Sequence, residues 1–312
     1  MKILVLGAGG TGGYFGGRLH EGGADVTFLV REKRAQQIAQ NGLQIESAKG
    51  NATLRVNTVL AANVQAIYDV VILSCKAYDL TSSIDAIRRA MHATTCVVPL
   101  LNGISHIDTL DAAFGSARVM GGTCQIAATL TRDGVVKSMF DAHTIAWGAR
   151  EPSQQATADA LGDAFSRTIV DWKVSDNTML DMWEKVAFLS TLAAMTCLMR
   201  ASVGEILATP DGRVLMKRCL DSCVAVSARS GYQPRPAVLE RYEKVMNSVG
   251  SSLTASMLRD LESGGLVEAD HVVGFMLGKA REFGVDDTML SVAFAHLKAY
   301  ENRRAANRLP VQ

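Results

Sequence analysis

The first half of the chain alternates short unbroken apolar runs with stretches whose apolar residues recur every three or four positions. Lys2-Ile3-Leu4-Val5-Leu6 and residues 69–74 and 96–101 have the continuous apolar character of strands buried on both faces of a parallel sheet. Residues 25–30 form a further strand. Between these runs, 14–20 reads as a helix stopping at Gly22-Gly23, and 80–91 as a helix capped by Thr81 or Ser82. Residues 119–130, 135–139 and 144–147 read as shorter strands joined by turns such as Arg132-Asp133-Gly134, followed by a helix over 154–166 and a last strand over 169–174.

After Ser175-Asp176 the strand signals stop. Helical spacing runs through 177–200, 211–231, 235–247, 251–262, 268–283 and 286–302, with breaks at Gly204, Pro210, Gly231-Tyr232-Gln233-Pro234, Gly264-Gly265 and Gly284. The pattern predicts an α/β domain over 1–174 and an all-α domain over 175–312, with a ligand crevice between them. Residues beyond about Asn307 are expected to fray.

The first strand runs directly into Gly7-Ala8-Gly9-Gly10-Thr11-Gly12. A strand turning sharply into a helix leaves backbone N–H groups free at the helix start. Glycines at 7, 9 and 12 allow the tight turn, the approach of a pyrophosphate and close packing of the helix on the sheet. A GxGxxG alone is unspecific; with a strand before it and a helix after it, it predicts a Rossmann-type dinucleotide-binding domain held to its cofactor by Gly7, Ala8, Gly9, Gly10, Thr11 and Gly12. NAD-binding folds place an acid near the end of the second strand, whereas this chain has Arg31, with Lys33 and Arg34 just beyond and Glu32 between. A guanidinium can bind a 2′-phosphate through two hydrogen bonds, which favours NADPH.

Composition narrows the class. The 312 residues suffice for two cores, and 48% hydrophobic with 20% charged residues describe an ordinary globular protein. A net charge of +1 gives no reason to expect nucleic acid or a membrane surface as partner. No basic segment followed by an apolar stretch opens the sequence, so a cytoplasmic protein is expected. The longest uncharged run, 186–199, is too short to span a bilayer and reads as a buried helix. Cysteines 75, 96, 124, 197, 219 and 223 lack CxxC spacing and are expected as reduced thiols. Cys219 and Cys223 lie four apart on a helix, but no His or acid stands at ligand spacing, so no metal is expected.

Three polar residues stand in surroundings that suit chemistry. Asn102 follows a strand whose carboxyl end should face the ligand, although Asn-Gly is also a common turn. Lys185 sits where a charged first turn gives way to a long apolar helix. A lysine there loses part of its hydration and becomes a better proton donor near neutral pH, unless it simply snorkels off the helix end. Glu268 opens a helix with an otherwise apolar face, where a carboxylate often serves only as a cap.

Over nearly its whole length the chain resembles the ketopantoate reductase (2-dehydropantoate 2-reductase) family. The resemblance rests on KILVLGAGGTGG, Ser74-Cys75-Lys76-Ala77, Leu101-Asn102-Gly103-Ile104, Trp183-Glu184-Lys185-Val186-Ala187, and Ser256-Met257-Leu258-Arg259-Asp260-Leu261 leading to Glu268-Ala269-Asp270 and Gly274-Phe275. It implies NADPH as hydride donor, Lys185 as general acid on the keto oxygen and Glu268 bonding the substrate hydroxyl. It further implies that Asn102 bridges nicotinamide and substrate, that Lys76 lies near the cofactor and that Ser256 helps hold the substrate.

Departures from the family bear on the substrate. Members that reduce ketopantoate carry two asparagines one and two turns beyond the lysine, where this chain has Leu189 and Ala193; another asparagine precedes a Gly-Glu pair, where it has Val203. An unpaired polar substrate group against an apolar wall costs on the order of 1–3 kcal/mol, and two such losses weaken binding by roughly a hundredfold. The expectation is therefore NADPH-dependent reduction of a 2-keto acid, by default ketopantoate to pantoate in pantothenate biosynthesis, with a more apolar oxo-acid as rival. A 3-hydroxyacid or imine-type dehydrogenase shares the layout, and a non-catalytic NADP(H) sensor would have no use for a proton donor. The apolar helices could also pack against a second copy in a homodimer.

Overall fold

The computed structural model describes residues 1–309, which cluster into two compact units: Met1–Leu101 with His106–Met179, and Asn102–Ser105 with the chain from Leu180 onward. The fraying expected at the C-terminus lies, for residues 310–312, outside the described residues.

The first unit contains two sheets. β1 (Lys2–Leu6), β2 (Asp25–Leu29), β5 (Asn57–Val59), β6 (Val70–Leu73) and β7 (Cys96–Pro99) make a five-stranded sheet in the order β5-β2-β1-β6-β7, parallel throughout. All four residues of both β6 and β7 are buried, as their unbroken apolar runs require. The second sheet holds β3 (Leu43–Glu46), β4 (Ala52–Leu54), β8 (Gly121–Leu130), β9 (Val135–Gly148) and β10 (Asp171–Val174). Residues 135–139 and 144–147, expected as separate strands, belong to one 14-residue strand, because β8 pairs along it with one register shift between Ile126 and Ala128. The helices are α1 (Gly10–Glu21), α2 (Glu32–Asn41), α3 (Leu80–Ile87), α4 (His106–Phe114) and α5 (Gln155–Phe165). Neither Thr81 nor Ser82 caps α3: a short 3₁₀ turn, Ala77–Asp79, leads into it, and the Ser82 hydroxyl donates to the Asp79 carbonyl at 3.0 Å.

α1 lies between the two sheets, and its glycines make that possible. A Cβ on Gly12 would fall 2.2 Å from Ser74 Oγ, just past β6, and on Gly16 2.8 Å from the Phe28 ring of β2. On the other side, a Cβ on Gly13 would fall 2.7 Å from Val136, and on Gly17 2.6 Å from Ile45. Tyr14, fully buried on α1, bonds His143 Nδ1 of β9 at 2.8 Å, which satisfies two polar groups in the interior.

The second unit is helical: α6 (Thr178–Met199, its first residues counted with the first unit), α7 (Val203–Leu207), α8 (Gly212–Arg229), α9 (Pro236–Met246), α10 (Ser256–Glu262), α11 (Phe275–Phe283) and α12 (Thr288–Ala305). Three helices differ from expectation. Gly204, expected as a break, lies inside α7, whose start is capped by Ser202 and Glu205. Residues 251–255 are not helical, because the carbonyls of Ser251 and Leu253 accept from the N–H groups of Gly204 and Val203 at 2.9 Å each and so serve the start of α7. The helix expected over 268–283 opens with a π-helical turn, Asp270–Gly274, before α11. Among the described residues no helix is long and apolar enough to cross a membrane.

Candidate active site

The glycine turn leaves the parallel sheet at its centre. Leu6 is level with Leu29 on one side and Leu73 on the other, and Gly7, at φ +88°, donates to the Leu29 carbonyl at 2.9 Å. Gly9 is the N-cap of α1, so no side chain closes the helix start, and a Cβ there would meet nothing within 4 Å. Open space in front of unspent N–H groups suits a phosphate. Gly10 answers to a different demand: a Cβ would lie 2.4 Å from the Ala128 carbonyl oxygen of β8.

The basic cluster after β2 divides into two roles. The Arg31 side chain is 85% exposed and its guanidinium lies 3.7 Å from Asp79 Oδ1. Arg34 is half-buried and donates to the carbonyls of Ala8 at 3.1 Å and Gly134 at 2.9 Å, pinning the glycine turn to the β8–β9 turn. Its Nη2 is buried with no partner, and burial lowers its pKa. An orphaned guanidinium nitrogen beside the glycine turn fits an anionic cofactor group. Lys76 is half-buried at the carboxyl end of β6, in the sheet position next to β1, and its carbonyl starts the 3₁₀ turn that carries Asp79. Gly7, Ala8, Gly9, Thr11, Gly12, Arg31 and Lys76 thus share one end of the parallel sheet.

The remaining predicted residues belong to the second unit. Lys185 is half-buried on α6 between Glu184 and the buried pair Val186 and Ala187. Glu184, 2% exposed, accepts from the Arg235 backbone N–H at 2.7 Å and from its Nε at 2.9 Å. Trp183 stacks on Tyr232 at 5.7 Å and meets Phe275 at 5.9 Å. The α6 segment around Lys185 is therefore gripped from the 231–235 loop and from α11. Further along, the Ser190 hydroxyl reaches the Val272 carbonyl of the π turn at 3.4 Å, and Thr196 Oγ1 accepts from the Ala255 N–H, just ahead of Ser256, at 3.3 Å. One helix thus ties down the segments that carry Lys185, Ser256 and Glu268.

Glu268 is 8% exposed and directly precedes the helical residue Ala269; its carbonyl accepts from Val272 N–H at 3.1 Å. Asn102 lies in the four-residue turn that belongs to this unit although β7 leads into it. His271, which the sequence did not single out, joins the two. Its Nδ1 faces the Ser105 hydroxyl at 2.9 Å, and its ring bonds the Asn102 backbone. Burial holds its pKa below the usual histidine value, opposed by the Glu268 charge and by that backbone bond.

Of the three positions where asparagines were expected, Val203 and Ala193 are interior residues at 0% and 4% exposure, while Leu189 is half-buried. No cluster of three potential metal-ligating side chains occurs among the described residues.

Comparisons with known proteins agree with this layout. The ketopantoate reductase PanE/ApbA family matches residues 3–152, and the ketopantoate reductase PanE/ApbA C-terminal family matches residues 177–301. An uncharacterized oxidoreductase of Bacillus subtilis, YkpB, is 36% identical over 96% of this chain and 99% of its own. A 2-dehydropantoate 2-reductase of Archaeoglobus fulgidus is 26% identical over 91% of this chain and 92% of its own. A solved structure of D-mandelate dehydrogenase with NADH and anilino(oxo)acetate has the same fold, with a TM-score of 0.87 at 24% identity, covering 98% of this chain and 99% of that one. With family models matching both parts and a relative 36% identical along nearly its whole length, the chain belongs to the ketopantoate reductase family and is an oxidoreductase.

Proposed function

We propose that the protein reduces a 2-oxo acid to the 2-hydroxy acid with NADPH. The observation that carries this reading is that α6, which bears Lys185, bonds through Ser190 to Val272 of the segment that follows Glu268 and through Thr196 to Ala255, just before Ser256, while the Asn102 turn belongs to the same unit. When bound, NADPH supplies a hydride from its nicotinamide. Gly7, Ala8, Gly9, Gly10, Thr11 and Gly12 would hold its pyrophosphate, Lys76 and Asn102 its nicotinamide half, and Arg31 with Arg34 a 2′-phosphate. Hydride arriving at a carbonyl carbon leaves negative charge on the oxygen. Lys185 gives the proton that neutralises it, Glu268 accepts a hydrogen bond from a substrate hydroxyl, and Ser256 and Asn102 fix the substrate's orientation.

Leu189, half-buried on the helix that carries Lys185, favours an oxo-acid with a larger apolar side group over ketopantoate, whereas Ala193 and Val203 are interior residues. Lys185→Ala should lower turnover by orders of magnitude while the NADPH dissociation constant, read by nucleotide fluorescence, stays within about twofold. Unchanged turnover would remove Lys185 from the mechanism. Steady-state rates on ketopantoate beside bulkier 2-oxo acids, each with NADPH and NADH, decide both the substrate class and the cofactor.

A further inference from the structure

Three observations meet at one imidazole. The first is steric. Gly103 has φ +84°, and a Cβ on it would lie 2.6 Å from His271 Cδ2, 2.8 Å from its Nε2 and 3.0 Å from its carbonyl oxygen. The Asn102–Ser105 turn therefore lies directly against the His271 ring and backbone, as close as a residue without a side chain permits. The second is polar. His271 Nδ1 faces the Ser105 hydroxyl at 2.9 Å while the ring also bonds the Asn102 backbone, so both ends of the turn are held by one side chain across 166 residues of sequence. With Nδ1 turned to Ser105, the Nε2 proton is the one offered to the Asn102 carbonyl. The third is helical. His271 lies in the π turn three residues after Glu268, and π turns widen a helix by one residue and so re-aim the side chains at its start.

We infer that His271 is a positioning residue whose neutral imidazole locks the Asn102–Ser105 turn onto the segment that opens at Glu268, so that one side chain sets the placement of both. This deepens the proposed reaction and rests on that reading for its catalytic consequence. His271 transfers no proton to substrate. It holds the Asn102 backbone, and through it the amide side chain, at a fixed place relative to the Glu268 carboxylate. The Glu268 charge bears on the ring. Burial keeps the ring neutral near pH 7, the state in which Nδ1 accepts from Ser105 while Nε2 donates to the carbonyl.

The test compares wild type with His271→Ala, His271→Gln and Ser105→Ala in the full-length protein. Amide hydrogen exchange at residues 102–105 should rise at least tenfold in His271→Ala, with the rest of the helical unit unchanged. His271→Gln, whose amide can still donate to the Asn102 carbonyl, should restore most of the protection, and Ser105→Ala should give a smaller rise. On the best 2-oxo acid, kcat of His271→Ala should fall about 10- to 100-fold, since a misplacement near 1 Å costs that much, with the NADPH dissociation constant within about twofold and most activity regained in His271→Gln. A merely structural role would instead raise exchange throughout the unit and leave the kcat of the folded fraction intact. Unaltered exchange at 102–105 in His271→Ala overturns the clamp, and faster exchange with unaltered kcat overturns its positioning role. If wild type reduces no 2-oxo acid, the proposed reaction fails, and the exchange comparison still decides whether the clamp exists.

Discussion

At the scale of single residues, the tightest constraint falls on Gly103. Its left-handed φ excludes a Cβ at low energy, and the space a Cβ needs is filled by the His271 ring and carbonyl. Gly103→Ala should cost about 1–3 kcal/mol in unfolding free energy, read from the urea midpoint, and should lower kcat beyond that loss because Asn102 is the preceding residue. A normal kcat in the folded variant would show that the turn tolerates displacement. Asn102, Lys185 and Glu268 stand at visible junctions in the sequence, strand end, helix edge and helix start, but each junction also suits an ordinary structural role, and only the family resemblance implied chemistry for them. His271 has no such mark, since its partners are Ser105 and Asn102, and nothing local to Asp270-His271-Val272 announces them. The same holds for Arg34. Its place after the second strand was legible as basic charge, but its bonds to the Ala8 and Gly134 carbonyls depend on two turns brought together by the fold.

Among the elements, α6 carries Lys185, and its position depends on a buried charge. Glu184 is nearly inaccessible and is held by the Arg235 backbone N–H and guanidinium, with Asp181 on the same arginine. These carboxylates push the Arg235 pKa above its already high value. Removing one partner of such a pair leaves an uncompensated interior charge. Arg235→Met should therefore destabilise the protein by about 3 kcal/mol, at the low end for buried pairs because the arginine side chain is 45% exposed. Arg235→Lys should recover only part, since an ammonium cannot bond a carboxylate at two points. Denaturant midpoints of the two variants check this; equal midpoints would mean that the backbone N–H alone satisfies Glu184. Helical periodicity predicted α6 itself, because period is a local property. The extended stretch at 251–255 was read as helix because its carbonyls are spent on α7, some 50 residues earlier in the chain. The glycine motif ends at Gly12; beyond it Gly13, Gly16 and Gly17 serve contact with two sheets, a demand visible only once both sheets exist.

For the whole molecule, histidine burial sets the response to acid. His143 in the first unit, and His271 and His296 in the second, all have pKa values lowered from 6.5, with burial the leading cause in each. His143 is 2% exposed, with Tyr14 on Nδ1 and the Asp171 carboxylate 3.8 Å from Nε2 pulling its pKa partway back. The sign follows from proton counting. Between 6.5 and the lower folded-state values, the unfolded chain binds more protons than the folded one, so stability falls as pH falls through that window and is fully present above it. Carboxylates act lower down: the Arg218 guanidinium holds Asp286 well below the usual range, and its contribution disappears only as pH drops beneath the ordinary carboxylate pKa. Acid destabilisation should accordingly come in two stages, the first beginning near pH 6.5. Each unit contains at least one of these histidines, so neither escapes it. Thermal melts from pH 8 to 4 should show the midpoint flat down to about 6.5 and declining below, by about 2–4 °C for each kcal/mol lost. His143→Phe, which cannot take up a proton, should flatten the first stage relative to wild type, whatever it costs at pH 8. A midpoint that stays level from pH 6.5 to 5 in wild type would mean that these imidazoles protonate inside the fold without penalty, and that their burial does not govern its acid limit.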